Sequence, residues 1–444
     1  MKMTESIVRS RRVLLLIWAL TLLVGSALPG LAQPGTRTSV KAIRAGQLID
    51  TKSGKVLKNQ TIIIESGVIR AVGTDVAIPA GAEVIDLSGM TVLPGLIDSH
   101  THLTGQSDEN YYERFRKSFV DAAIYAPTLA KRTLDAGFTT CRDLGSSGFV
   151  DVALRNAINE GKVPGPRLLV AGYYISSTGG HGDMVGFSPW LDSRYPAEMT
   201  GIADGVDAVR QKVRYLVKNG ADVIKMGAGA GVLSEEDSVG APQYSQEEMN
   251  AIVDEARRWG RKTCAHAHGT EAIKMAIRAG VASVEHGSFV DDEGIALMLR
   301  QGTYLVADIY NDDYILAEFS RLGYPAKIIE KERLVGQTQR ENFRKAVRAG
   351  VKVAYGTDAG VYPHGGNAKQ FAHMVRWGMT PMMAIQSATV NAADLLGLGE
   401  KIGSIEVGKD ADIVAVEGDP LADVSVLETK MRFVMRSGVV YRTR

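Results

Sequence analysis

Apolar positions along the chain follow two rhythms. Residues 41–92 carry short runs rich in Val and Ile, broken by Gly or Asp, as in KAIRAGQLID, QTIIIESGVIRAVG and AEVIDLSGMTVLPG. Such runs predict β-strands joined by turns. The far end, residues 397–444, shows the same pattern in IGSIEVGKDADIVAVEGDP and TKMRFVMRSGVVYR. The two ends are therefore expected to meet in one small β-sandwich. Over residues 93–396 the rhythm alternates. TVLPGLIDSH, FTTCRDL, RLLVAGYYIS, ADVIKMGA, KTCAHAHG, ASVEHGSF, TYLVADIY and VKVAYGTDAG read as eight strands. Between them, YYERFRKSFVDAAIYAPTLAKRTLDAG, GVDAVRQKVRYLVKNG, SQEEMNAIVDEARRWG and KERLVGQTQRENFRKAVRAG place apolar residues three and four apart and end in Gly, which predicts amphipathic helices. The whole reads as an α/β fold, a (β/α)8 TIM-like barrel carrying a small β-sandwich built from both chain ends. An open doubly wound sheet is the alternative, and no GxGxxG follows the first strand to support it.

The N-terminus departs from this pattern. MKMTESIVRSRR is basic, VLLLIWALTLLVG is apolar, and SALPGLAQ sets Gly30 and Ala32 three and one residues before a cut at Gln33. That order predicts a signal peptide over residues 1–32. The apolar run is shorter than the about 20 residues a bilayer crossing needs. The chain is therefore expected to be exported, periplasmic or secreted, with no stable membrane anchor. The 51 Lys+Arg residues balance 50 Asp+Glu, leaving a formal charge of +1, with no basic surface for nucleic acid. The two cysteines, Cys141 and Cys264, fall in the second and fifth predicted strands and are expected to stay unpaired.

The chemistry lies at the strand ends. Of only eight histidines, His100 and His102 end the first barrel strand, His266 and His268 the fifth and His286 the sixth; Asp358 ends the eighth, and Lys225 sits inside the fourth. A lone histidine at a strand end is usually a hydrogen-bonded structural residue. Several converging on the C-terminal mouth of a barrel, where such folds keep their active sites, point elsewhere. His-x-His on a strand puts both imidazoles on one face. With further imidazoles and a carboxylate they make a donor set suited to Zn²⁺. Lys225, flanked by Val223, Ile224 and Met226, is costly as a buried ammonium. It needs either a salt bridge or uptake of carbon dioxide, which would turn the amine into a carbamate anion with two donor oxygens.

These motifs resemble the amidohydrolase superfamily: GLIDSHTHL, the fourth-strand lysine, the later histidines, GTDAG, and the flanking VLPGLID and GSIEVGKDADIVAV. The chain is similar to the branch with imidazolonepropionase-like members that includes Xaa-Pro and other dipeptidases and ochratoxin-hydrolysing amidohydrolases. The resemblance implies two divalent ions, with His100, His102 and Asp358 on one and His266 and His286 on the other. It implies a carbamate on Lys225 bridging both, and a hydroxide between the ions. Asp358 would take the proton from the attacking hydroxide and pass it to the leaving nitrogen. His181, in SSTGGHGDM, would stand near the scissile carbonyl. His268 is either an orienter behind the ligands or a substrate contact. Tyr244, after the Gly-rich stretch, is either a substrate contact or a surface residue. His364 would order a loop at the mouth, and His373 is read as structural. The expected substrate is a linear amide, a dipeptide, an N-acyl amino acid or ochratoxin A, with the enzyme a homo-oligomer. A cyclic-amide hydrolase and a metal-binding protein without catalysis are the competing readings.

Overall fold

Both chain ends feed one sheet. The computed structural model describes residues 40–183, 185, 200–235 and 238–443, so the leader expected over residues 1–32 lies outside the described residues. Strands β1 (Lys41–Asp50), β2 (Lys55–Glu65), β3 (Val68–Gly73) and β4 (Glu83–Pro94) precede seven barrel strands. These are β5 (Leu96–Thr101), β6 (Phe138–Asp143), β7 (Arg167–Val170), β8 (Val223–Gly227), β9 (Lys262–Ala267), β10 (Ser283–His286) and β11 (Tyr304–Val306). The chain ends with β12 (Ile413–Val416), β13 (Met431–Arg436) and β14 (Val439–Arg442). The terminal strands form one seven-stranded ladder, β14-β13-β12-β4-β1-β2-β3.

The period-two alternation explains how this sheet is buried. Ile43 and Ala45, Ile62 and Ile64, Ile413 and Ala415, and Phe433 and Met435 share one face and one apolar cluster. Leu93, Val414, Val416 and Val434, of opposite parity, join the large core of the barrel instead. The sheet is therefore apolar on both faces where β4 and β12 pair, and each such side chain contributes about 1.5–3 kcal/mol on burial. β4 then passes directly into the barrel through Gly95. A Cβ there would lie 2.1 Å from Thr139 Oγ1, so only glycine allows the close approach.

The barrel strands fall into two parallel ladders, β5-β6-β7 and β8-β9-β10-β11. Backbone bonds join them at two seams. At the first, Asp222 N donates to Val170 O (2.8 Å), Ile175 N to Lys225 O (2.9 Å) and Gly227 N to Ile175 O (2.9 Å). The third expected strand thus breaks at Gly172, whose φ is 68°, and resumes at Ile175. At the second seam, residues 352–359 act as the eighth strand. Leu305 N donates to Lys352 O (2.9 Å), Ser99 N to Tyr355 O (2.8 Å) and Asp358 N to His100 O (2.8 Å). This segment is no regular strand, because Asp358 adopts φ 55°. The ring is closed all the same.

The helices start and stop on local signals. Ser245 and Glu248 form a capping box ahead of Gln246–Arg258. The long stretch expected to be helical after the first barrel strand divides into a short turn at Tyr111–Phe115 and a helix at Phe119–Asp135, because Ser118 and Asp121 cap a fresh start. Among the described residues no helix is long and apolar enough to cross a membrane.

Cys141 on β6 and Cys264 on β9 are buried and free. β7 and β8 lie between them. Three strand spacings of about 4.8 Å exceed the about 7 Å that a disulfide allows. Titration of the unfolded, unreduced protein with a thiol reagent should find two reactive groups; none would mean that the strand order is wrong.

Candidate metal centre

Two ladders bring the first group of ligands together. His100 and His102 lie two apart at the end of β5, and Asp358 N and Ala359 O bond to the backbones of His100 and His102, each at 2.8 Å. Asp358 Oδ1 consequently sits 3.3 Å from His100 Nε2 and 3.1 Å from His102 Nε2. His100 is buried, whereas the His102 side chain is 34% exposed. The other nitrogen of His102 lies 3.3 Å from Gly145 O, so Nε2 is the atom that faces the aspartate.

The second group comes from β9 and β10. His266, His268 and His286 offer donor atoms within 4.8 Å of one another, as do His100, His102 and Asp358. A third such set, His286, Asp308 and Asp358, shares one residue with each. The groups therefore merge into one continuous cluster, with ring centroids of His100 and His286 5.2 Å apart and those of His266 and His286 4.5 Å apart. His286 Nδ1 lies 2.9 Å from Asp308 Oδ1, leaving Nε2 for a ligand. His268 Nδ1 meets Ser288 Oγ at 2.7 Å, and its ring stacks on His286. His266 Nε2 is buried and has no hydrogen-bond partner among the described residues.

The electrostatics suit a cation. Burial, reinforced by neighbouring charge, holds the pKa values of His100, His266 and His268 well below the usual imidazole range. All three are thus neutral donors near pH 7, the form that binds metal. Burial alone would raise Asp358, yet the imidazoles of His100, His102 and His286 hold it well below the usual carboxylate range. Lys225 is 2% exposed on β8. Its charge opposes protonation of His100, His266 and His268. Among the described residues no carboxylate lies within ion-pair distance of it.

His181 stands at the edge of this cluster, stacked on His266 with centroids 4.2 Å apart. Its Nδ1 lies 2.5 Å from Ser234 Oγ. Gly231 makes room, since a Cβ there would fall 2.2 Å from the His181 ring. Tyr244 requires a correction. It is buried rather than at the surface, and its hydroxyl donates to Ala203 O at 2.8 Å. His364 Nε2 lies 3.1 Å from both His102 O and Gly105 O, tying the loop after β5. His373 is on the helix Gln370–Arg376 and faces Asp313 at 3.5 Å.

Sequence reasoning missed the residues behind the ligands. Glu285 Oε2 is 3.2 Å from His100 Nδ1, and its Oε1 accepts from Arg142 Nη2 at 2.8 Å. Arg142 also donates to Ser99 O (2.5 Å) and Ser283 Oγ (3.1 Å), crossing the barrel interior from β6. Gln339 Nε2 and Asn311 Nδ2 donate to Asp308 at 3.0 and 2.6 Å. Such partners orient ligands and fix their tautomers. A signal was present for the first pair: Arg142 and Glu285 are charged residues inside predicted barrel strands.

A closed parallel barrel whose C-terminal mouth gathers histidines, aspartates and a buried lysine is a barrel protein whose donor groups could hold a metal ion. The chain belongs to the amidohydrolase family, whose model matches residues 91–443. It is 35% identical over 409 residues to ochratoxinase of Aspergillus niger, covering 88% of this chain and 83% of that protein. It is 26% identical over 394 residues to imidazolonepropionase of a Geobacillus species, covering 81% and 84%. Among solved structures it resembles a Xaa-Pro dipeptidase with methionine bound in the active site. That match has 42% identity, a TM-score of 0.87, and covers 91% of this chain and all of the other.

Lys225→Ala tests whether the lysine belongs to the ligand set. The variant should fold and bind fewer divalent ions per chain than the parent, as counted by elemental analysis after loading. A variant with parental metal content would make Lys225 structural.

Proposed function

We propose that this chain is an exported, dinuclear metal-dependent amidohydrolase that cuts the linear amide of a dipeptide or an N-acyl amino acid. Hydrolysis of amide or peptide bonds follows from the family and from its likeness to ochratoxinase and the Xaa-Pro dipeptidase. The observation that carries the finer reading is the merging of three donor groups through His286 and Asp358. One isolated triad would hold one ion; a continuous cluster with shared members suits two. His100, His102 and Asp358 would hold the first and His266 and His286 the second. Lys225 would join both after taking up carbon dioxide. Its burial on β8 beside the imidazoles, without a carboxylate partner among the described residues, supports that role. Two divalent ions, with zinc the expected metal, would supply the Lewis acidity that makes water nucleophilic near neutral pH.

The protein's own groups carry the proton. Hydrolysis adds water oxygen to the carbonyl carbon, breaks the C–N bond and ends with a proton on nitrogen. Asp358 is ionised in the resting site and so starts as the base. Once protonated, it can return that proton to the departing amine. His181, stacked on His266, would meet the carbonyl oxygen as negative charge develops.

The test is a screen of metal-loaded enzyme against dipeptides, N-acyl amino acids, ochratoxin A and cyclic amides. Linear amides should be turned over. Exclusive turnover of a cyclic amide would replace this reading with ring opening, and inertness toward all would favour a non-catalytic protein. On the best substrate Asp358→Asn, with metal content confirmed, should be at least about a hundredfold slower. A near-parental rate would assign the proton to another group.

Export belongs to the same proposal and rests on residues 1–32. Mass spectrometry of protein recovered outside the cytoplasm should show Gln33 as the first residue; a full-length product held in the membrane would refute cleavage.

A further inference from the structure

Asp358 turns its two oxygens to different neighbours. Oδ1 faces the imidazoles of His100 and His102 at 3.3 and 3.1 Å. Oδ2 accepts a hydrogen bond from Asn311 Nδ2 at 3.3 Å. The same Nδ2 donates to Asp308 Oδ2 at 2.6 Å. Asn311 is buried, and its Oδ1 has no hydrogen-bond partner among the described residues. Asparagines that serve only packing satisfy both ends of the amide. Here both amide protons face carboxylates and the oxygen goes without, an arrangement that is unfavourable unless the carboxylates dictate it. Turning the amide over would set Oδ1 against two anions.

We propose that Asn311 is a positioning residue for proton transfer. It decides which oxygen of Asp358 faces the ligand cluster and which carries the proton to the leaving nitrogen. The proposal rests on the reading of this site as an amide hydrolase. Its step is the one balanced above: the proton taken from water rests on Asp358 Oδ2 and passes to nitrogen as the C–N bond breaks. Asn311 supplies no proton. It holds the carboxylate in the plane where Oδ2 is free of the ligand cluster. A second role is available through Asp308, which holds His286, so the test must separate the two.

The leaving group separates them. An amine must be protonated to depart, whereas a thiolate leaves without a proton. The experiment compares the best dipeptide of a panel with its thioester counterpart, which has the same acyl half and a thiolactate leaving group. Asn311→Leu keeps the volume and removes the donor. It should hold the parental metal content and lose about a hundredfold in kcat on the dipeptide, and about tenfold less than that on the thioester, which needs Asp358 to take the proton from water but not to return it. Gln339→Leu removes a different donor from Asp308 and does not touch Asp358. Its losses should be equal on both substrates. A crystal structure of the Asn311 variant should show the Asp358 carboxylate rotated. If Asn311→Leu fails to fold, Asn311→Ser is assayed in the same way. Equal losses on the two substrates, or a fall in metal content matching that of Gln339→Leu, overturn the proposal and assign Asn311 to Asp308 and His286. A parent enzyme inert toward both compounds defeats the amide-hydrolase reading and this proposal with it.

Discussion

The backbone bond from Asp358 N to His100 O, 2.8 Å long, is the constraint on which the site depends. It closes the barrel and, in the same contact, sets the carboxylate against two imidazoles that come from the opposite end of the domain's sequence. No side-chain attraction could do this alone. Gathering an aspartate and two histidines in a buried mouth costs desolvation, which their mutual contacts offset only in part. The ladder between β5 and residues 352–359 holds them together before any ion arrives. The ligand geometry is therefore inherited from the closure of the fold.

Behind the ligands, charge is matched in pairs. Arg142 and Glu285 are 2% and 0% exposed. Removing one partner of such a pair typically costs about 3–5 kcal/mol, because the other charge stays buried and uncompensated. Glu285 spans both roles, meeting Arg142 with one oxygen and His100 with the other. Asp308 does the same between His286, Asn311 and Gln339. Each carboxylate thus links one histidine of the cluster to a fixed donor, and the ring orientations become properties of the core.

How much of this was legible follows from the geometry of each strand. His100 and His102 could be paired from sequence because the two-residue spacing of His-x-His at a strand end puts both imidazoles on one face. The eight strands could be counted because each is an apolar run closed by polar residues. Glu285 could not be placed. Alternation sends it away from His286, but His286 adopts φ 68°, which cancels the pleat and lets neighbouring residues face the same interior. Asp308 follows β11, a strand of three residues, where no periodicity places it, and Asn311 opens the helix Asn311–Glu318 that comes next. Tyr244 follows a Gly-rich stretch that reads as exposed loop. Its burial depends on the backbone carbonyl of Ala203, a contact between segments 41 residues apart that no local pattern announces.

Strain is concentrated where the chemistry is. His286 and Asp358 both hold left-handed backbone conformations, with φ of 68° and 55°, at a cost of about 1–3 kcal/mol each for a residue that is neither Gly nor held otherwise. Both are over-determined by their surroundings. Gly287 N bonds to Ala267 O at 3.0 Å beside the first, and Asp358 N bonds to His100 O at the second. The consequence is directional. A relaxed backbone at either place would restore the regular pleat and turn the side chain away from the cluster. The stabilising surplus that permits the strain comes from apolar burial elsewhere, in the large core of the barrel and in the sheet of β1–β4 and β12–β14, which is apolar on both faces at its centre.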